Sequence, residues 1–115
     1  MNVMDINGLK IYLNCDNAFL ESIIQKFIVE VREITKTIEN EAENQKWKLV
    51  KVNAHKMLSS VKIFEISELI LLLEKIELQA EEEINIPELK HNIGVLGPLV
   101  EKTIEDMRSS FEELQ

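Results

Sequence analysis

The stretch AFLESIIQKFIVEVREITKTI, residues 18–38, decides the fold class of this chain. Its apolar residues recur at steps of three and four positions, which places them on one face of an α-helix. They are Phe19, Leu20, Ile23, Ile24, Phe27, Val31, Ile34 and Ile38. The pattern predicts a long amphipathic helix from about Ala18 to about Glu43, which ends in the polar run ENEAENQK.

The whole composition suits a helical protein. The 115 residues include only 3 Gly, 2 Pro and 5% aromatic residues, which is too few for the turns and strands of a β-rich fold. With 45% hydrophobic residues, a chain of this length buries a core of its own. We therefore expect one domain over residues 1–115.

Further helical patterns lie before and after this stretch. MDINGLKIYL, residues 4–13, predicts a short helix with Ile6, Leu9 and Leu13 on one face. NCDN then interrupts the pattern, and its Asp16 and Asn17 are N-cap candidates for the long helix.

The second half of the chain predicts three more helices. The third helix spans about residues 47–64, and Ser67 is expected to cap the fourth. Pro87 suits the first turn of a final helix that runs to about Glu113. Gly94, Gly97 and Pro98 are expected to bend or break that helix. Long helices with short connections predict an all-α, antiparallel, up-and-down four-helix bundle with a short extra N-terminal helix.

Charge and hydropathy narrow the function classes. The net charge of −8 argues against nucleic acid as a partner, because phosphate binding needs a basic surface. The longest apolar run, LILLL at residues 69–73, is too short to cross a membrane. The single cysteine, Cys15, is read as a free thiol. These features predict a soluble cytoplasmic protein.

The third helix places His55 beside the core. On a helical wheel the apolar residues Trp47, Val50, Ala54, Met57, Val61 and Phe64 fall in an arc of about 100°, centred about 120° from His55. Lys48, Lys51, Ser59 and Lys62 share the side of His55. Leu58 lies between His55 and the core, whereas Val52 and Ile63 are apolar residues on the outer side.

An acidic residue is expected opposite His55. If the third and fourth helices form a tight antiparallel hairpin about Ile66, His55 faces Glu77, and Glu74 lies one turn nearer the connection. A carboxylate on one ring nitrogen fixes the tautomer and leaves the other nitrogen free as a nucleophile. From spacing alone, the pattern favours a surface histidine without a role.

The stretch AHKMLSSVKIFEISELILLLEKIE, residues 54–77, resembles the signature of histidine-containing phosphotransfer (HPt) domains, the helical-bundle shuttles of multistep two-component phosphorelays. DNAFLESIIQKFIVEV resembles the second helix of that family. In QKWKLVKVNAH, Trp47 precedes His55 at the family's usual spacing of about eight residues. The resemblance therefore covers nearly the whole chain.

The resemblance implies a phosphocarrier without kinase activity of its own. His55 would accept a phosphoryl group from a receiver-domain aspartate and pass it to another receiver, and Glu77 would orient the imidazole. The expected partners are response-regulator receiver domains and hybrid sensor histidine kinases, and the expected state is a monomer. No cofactor is expected on this chain, because the Mg²⁺ would belong to the receiver.

Residues around His55 would serve the phosphoryl group and the docked partner. They are Lys51, Val52, Lys56, Leu58, Ser59, Lys62 and Ile63. The family's lysine three residues after the histidine is Leu58 here, and its following glycine is Ser59. Lys51, Lys56 or Lys62 could supply the missing cation. Glu65 replaces a glycine that is common at the turn.

Three other functions have less support in the sequence. A di-iron bundle needs two Glu-x-x-His motifs, and only Glu88 to His91 fits, so no metal site is predicted. The carboxylates follow helical surface spacing, which gives a hydrolase no support. The main alternative is an HPt-like adaptor that binds a receiver or a histidine kinase without carrying phosphate.

Overall fold

The computed structural model describes residues 5–115, which are all-helical and contain no strand. Five helices follow one another: α1 (Ile6–Leu13), α2 (Asn17–Glu43), α3 (Trp47–Ile63), α4 (Ser67–Glu82) and α5 (Ile86–Glu113). The all-α class predicted from the sequence is confirmed. None of the described helices is long and apolar enough to cross a membrane.

The start of α2 follows the sequence prediction closely. Asp16 is the N-cap residue, and its side chain accepts a hydrogen bond of 2.8 Å from the backbone N–H of Phe19. Asn17, the other candidate, is the first helical residue. A carboxylate at this position satisfies one of the backbone donors that a helix start leaves unpaired.

Two predictions about helix ends and breaks are wrong. Ser67 is the first residue of α4 rather than its cap; Ile66 holds the N-cap position, and no side chain caps this helix. The break in α5 that was expected at Gly94, Gly97 and Pro98 does not occur, because α5 continues through all three; a bend there stays a prediction. Leu96 and Val100, on either side of Pro98, are buried, and this packing outweighs the one backbone hydrogen bond that proline cannot make.

Two apolar residues of the predicted faces lie outside the core. Phe19 is 55% exposed because it lies about 100° around the helix from Leu20, which centres the buried face. In α1, Ile6 is buried and Leu9 packs partly against the core, but Leu13 at the helix end is exposed.

Each of the four long helices contacts two of the other three. α2 contacts α3 and α5, α4 also contacts α3 and α5, and α1 contacts α5. Side chains from all five helices form one hydrophobic core, in which the rings of Phe27 and Phe64 lie 4.5 Å apart. The six core residues predicted for α3 and its end are all buried. The described chain is therefore a helical bundle whose functional candidates lie on the outer faces of α3 and α4.

Candidate functional site

His55 stands on the outer surface of α3, where it contacts α4. Its Nδ1 lies 3.0 Å from Oε2 of Glu77. The His55 side chain is 66% exposed and the Glu77 side chain is 23% exposed, so the pair is open to solvent on the imidazole side. The structure thus brings together the two residues that the hairpin register placed opposite each other.

This pairing decides which ring nitrogen is available. A carboxylate only accepts hydrogen bonds. In the neutral ring, Nδ1 therefore carries the proton and donates a hydrogen bond to Glu77. The lone pair then lies on Nε2. The arrangement gives an exposed imidazole with one nitrogen held and the other free to attack an electrophile.

Buried neighbours hold both members of the pair in place. Ala54 precedes His55 and Ile76 precedes Glu77, and both are fully buried. Ser59 donates a hydrogen bond of 3.2 Å from its hydroxyl to the backbone carbonyl of His55. The backbone beside each residue of the pair is therefore packed into the core, while the imidazole ring stays exposed.

The predicted docking residues divide into exposed and buried ones. Val52 and Ile63 are exposed, at 58% and 61%, and Ser59 is exposed as well. Leu58 is only 5% exposed, so its predicted part in a docking surface is wrong. It lies about 60° from His55, between His55 and the buried arc of α3.

The three candidate lysines have different surroundings. Lys51 Nζ lies 3.0 Å from Oε1 of Glu81 on α4. Lys56 borders a shallow groove on the α2 side, which is lined by Gln25, Lys26, Val29, Glu30 and Glu33. Lys62 is exposed. One of the three is therefore already paired with a carboxylate beside the His55–Glu77 pair.

Sequence reasoning missed Glu81 as part of this site. The hairpin register that pairs His55 with Glu77 also pairs Lys51, one turn earlier on α3, with Glu81, one turn later on α4. The sequence therefore contained the signal. On the other side of α3, Asn53 donates to Glu41 at 2.8 Å, and Ser60 hydrogen-bonds to Glu30. Side-chain pairs thus link α3 to both neighbouring helices.

Acidic residues elsewhere on the surface form separate ion pairs. Arg32 donates two hydrogen bonds to Glu101, of 2.7 and 3.0 Å, and this contact lowers the pKa of the Glu101 carboxyl. Glu88 pairs with Lys75 at 2.8 Å, which lowers the pKa of the Glu88 carboxyl. Within residues 5–115, no three His, Cys, Asp or Glu side chains converge as metal ligands would.

Comparisons with known proteins add no assignment. No protein-family model matches this chain, and neither a curated protein nor a solved structure does.

Proposed function

We propose that this chain is a histidine phosphocarrier of the HPt type, with His55 as the residue that carries the phosphoryl group. The observation that supports this most directly is the exposed imidazole whose Nδ1 is held by Glu77 at 3.0 Å. The resemblance of residues 54–77 to the HPt signature supplies the reaction class.

The transfer needs little chemistry from this chain. The Nε2 lone pair attacks the phosphorus of a receiver's aspartyl phosphate, and an N–P bond forms. The P–O bond breaks, its electron pair leaves with the aspartate carboxylate, and the Nδ1 proton remains hydrogen-bonded to Glu77. Positioning and charge neutralisation dominate such transfers, and the Mg²⁺ involved would belong to the receiver.

The proposal includes the finer architecture. We take α2 to α5 as an antiparallel, up-and-down four-helix bundle with α1 as the extra helix. Contacts in which residue numbers rise along one helix and fall along the next support this arrangement. Such contacts join Lys51 to Glu81 and His55 to Glu77, and also Thr35 to Met57 and Phe27 to Phe64.

The surface around His55 suits a receiver domain. Val52 and Ile63 offer exposed apolar area, and Ser59 adds only a small side chain next to the imidazole. Lys51, one turn from the imidazole, offers positive charge to phosphoryl oxygens. We therefore propose a cytoplasmic monomer that binds response-regulator receivers and hybrid sensor histidine kinases.

Phosphoryl transfer from radiolabelled phospho-receivers tests the proposal. We expect acid-labile, alkali-stable label on the wild-type chain and none on His55→Gln. His91→Gln is the matched control, because His91 is also exposed and helical but lies on α5. It should label like the wild type. No label on the wild-type chain across a panel of receivers would overturn the proposal.

The same experiment addresses the adaptor alternative. Its support is the buried Leu58 at the position where the HPt family carries a lysine. If the protein is an adaptor, the wild-type chain and His55→Gln should bind an unphosphorylated receiver or kinase equally well, and neither should take label. Binding with no label would therefore favour the adaptor.

A further inference from the structure

Two pairs of charged or polar side chains form consecutive contacts between α3 and α4. Lys51 lies one turn before His55, and Glu81 lies one turn after Glu77. The Lys51–Glu81 and His55–Glu77 contacts are both 3.0 Å long. We call these four residues the α3–α4 seam. Its cation lies one turn from the imidazole but is held by a carboxylate.

The His55 side chain leans toward the turn of α3 that contains Lys51. Side chains on an α-helix lean toward its N-terminus, so the imidazole extends over the turn that contains Lys51. Glu77 holds Nδ1, and a group on Nε2 would project from the exposed edge of the ring. The flexible four-carbon stem of Lys51 allows its ammonium group to reorient toward such a group.

The other lysines are less well placed. Lys56 borders the groove on the α2 side, which Glu30 and Glu33 also line, so it lies on a different side of α3 from Lys51. Lys62 lies two turns beyond His55, on the side opposite to the lean of the imidazole. Leu58, at the position where the family has its lysine, is buried. Lys51 is therefore the best source of a cation for a group on Nε2.

We propose that phosphorylation of His55 moves Lys51 from Glu81 to the phosphoryl oxygens. Glu81 is then a positioning residue that holds Lys51 until the phosphoryl group arrives. A phosphoryl group carries about −1.5 to −2 charges, more than the single charge of Glu81, so it attracts the ammonium group more strongly. The Lys51–Glu81 pair is exposed to solvent, and such pairs exchange at little cost.

This inference rests on the proposed function, but a chemical donor tests it without a receiver. Phosphoramidate transfers its phosphoryl group to imidazole: the N–P bond to Nε2 forms, the donor's own P–N bond breaks, and ammonia leaves. The acid dissociation constant of the phosphoryl group on His55 is then measured by ³¹P NMR titration. A nearby ammonium group favours the doubly charged form and so raises this constant.

Variants of the α3–α4 seam give opposite expected results. Lys51→Gln should lower the acid dissociation constant of the phosphoryl group about two- to fivefold, the scale of one exposed ion pair. Glu81→Gln should raise it by a similar factor, because Lys51 no longer has a competing partner. Lys51→Arg keeps the charge and should retain most of the wild-type value.

Removing a carboxylate also changes the local field directly, so two controls are needed. In the Lys51→Gln background, Glu81→Gln should keep only this direct effect. Glu74→Gln, on the same helix as Glu81, measures the direct effect of removing an α4 carboxylate. The other charged groups near His55 stay constant in all variants: Glu77 on α4, Lys48 and Lys62 on α3, and the Glu30 and Glu33 side of α2.

The outcomes separate this inference from the proposed function. An effect of Glu81→Gln that keeps its full size without Lys51, or an unchanged constant in Lys51→Gln, would overturn the exchange even if receivers transfer phosphate to His55. The expected pattern together with no transfer from any receiver would support the exchange and reject the relay. Failure of phosphoramidate to label His55 would contradict both.

Discussion

Glu65 has a backbone conformation that costs free energy. It lies in the short connection between α3 and α4 with a φ of 52°, in the left-handed region. Side chains with a Cβ adopt this conformation at a cost of about 1 kcal/mol or more, whereas glycine does not. The backbone here therefore has a glycine-like conformation with a glutamate in place.

Glu65→Gly is expected to raise the free energy of unfolding by about 1 kcal/mol, because it relieves the left-handed strain. Glu65→Ala is the matched control, since it removes the same charge and keeps the Cβ. Urea denaturation of both variants checks this. Equal stability of the two variants would show that strain at this φ contributes nothing.

The helices differ in whether a side chain caps their N-terminus. A side chain caps α2 at Asp16, whereas α3, α4 and α5 begin without a side-chain cap. For α4 the first contacts with the core are made by Ile66 and Leu69, both buried, so packing rather than capping fixes its start. The sequence rule that favours serine before a helix therefore gave the wrong role to Ser67.

Asp16→Ala is expected to lower the free energy of unfolding by about 0.5 to 2 kcal/mol, the usual cost of losing an N-cap. The residue caps a helix of 27 residues that contacts both α3 and α5, so the loss should be felt in global unfolding. Ser67→Ala, its control at the start of α4, should change stability little. A large loss in Ser67→Ala would show that its hydroxyl caps α4 in solution.

Pro98 lies inside α5 and cannot donate the backbone hydrogen bond that the helix offers at that position. Pro98→Ala is expected to raise the free energy of unfolding by about 1 to 3 kcal/mol, because the bond is restored and the ring is removed. Thermal unfolding followed by circular dichroism checks it. A loss of stability in Pro98→Ala would show that the proline stabilises the conformation of α5.

Gly94→Ala is the companion variant. A Cβ at position 94 meets no heavy atom within 4 Å, so the free energy of unfolding should rise by about 1 kcal/mol from helix propensity alone.

At the scale of the whole molecule, ion pairs and hydrogen bonds join α5 to α2 and to α4. Arg32 links α2 to Glu101 on α5, and Lys75 links α4 to Glu88 at the start of α5. In the interior, Asn92 donates a hydrogen bond of 2.9 Å to Gln79, and both residues are buried. A buried polar pair tolerates little displacement, so it helps to fix α4 against α5.

The Arg32–Glu101 contact makes stability depend on pH. The hydrogen bonds from Arg32 hold the pKa of the folded Glu101 carboxyl below its unfolded value of about 4.3. The folded state therefore binds fewer protons there, and the contribution is present above the unfolded pKa and is lost as pH falls through the folded pKa. We expect the decrease in stability between about pH 5 and pH 3 to be smaller in Glu101→Gln than in the wild type.

Arg32→Gln should flatten the same part of the pH profile, and the double variant should flatten it no further. Urea titrations at several pH values measure this. Independent effects of the two substitutions would contradict a shared origin in the ion pair.

Periodicity in the sequence was sufficient for much of the fold. The steps of three and four in residues 18–38, and in the two helices after it, gave the class and most helix bounds, because the apolar face of a helix is a local pattern. The same periodicity placed the apolar residues of α3 in the core and His55 outside it. The hairpin register added Glu77, since a short connection leaves two helices little freedom to slide.

Tertiary packing decided what local rules left open. Leu58 is buried because α4 covers its side of α3, and α5 passes through Pro98 because buried residues on both sides hold it. Glu81 joined the site because its ion pair depends on the separation of two helices, which no single helix encodes. The sequence by itself determined an exposed histidine on a helical bundle. Only the packing of α3 against α4 decided which nitrogen of His55 is free and which lysine lies beside it, because both depend on contacts between residues 22 and 30 positions apart.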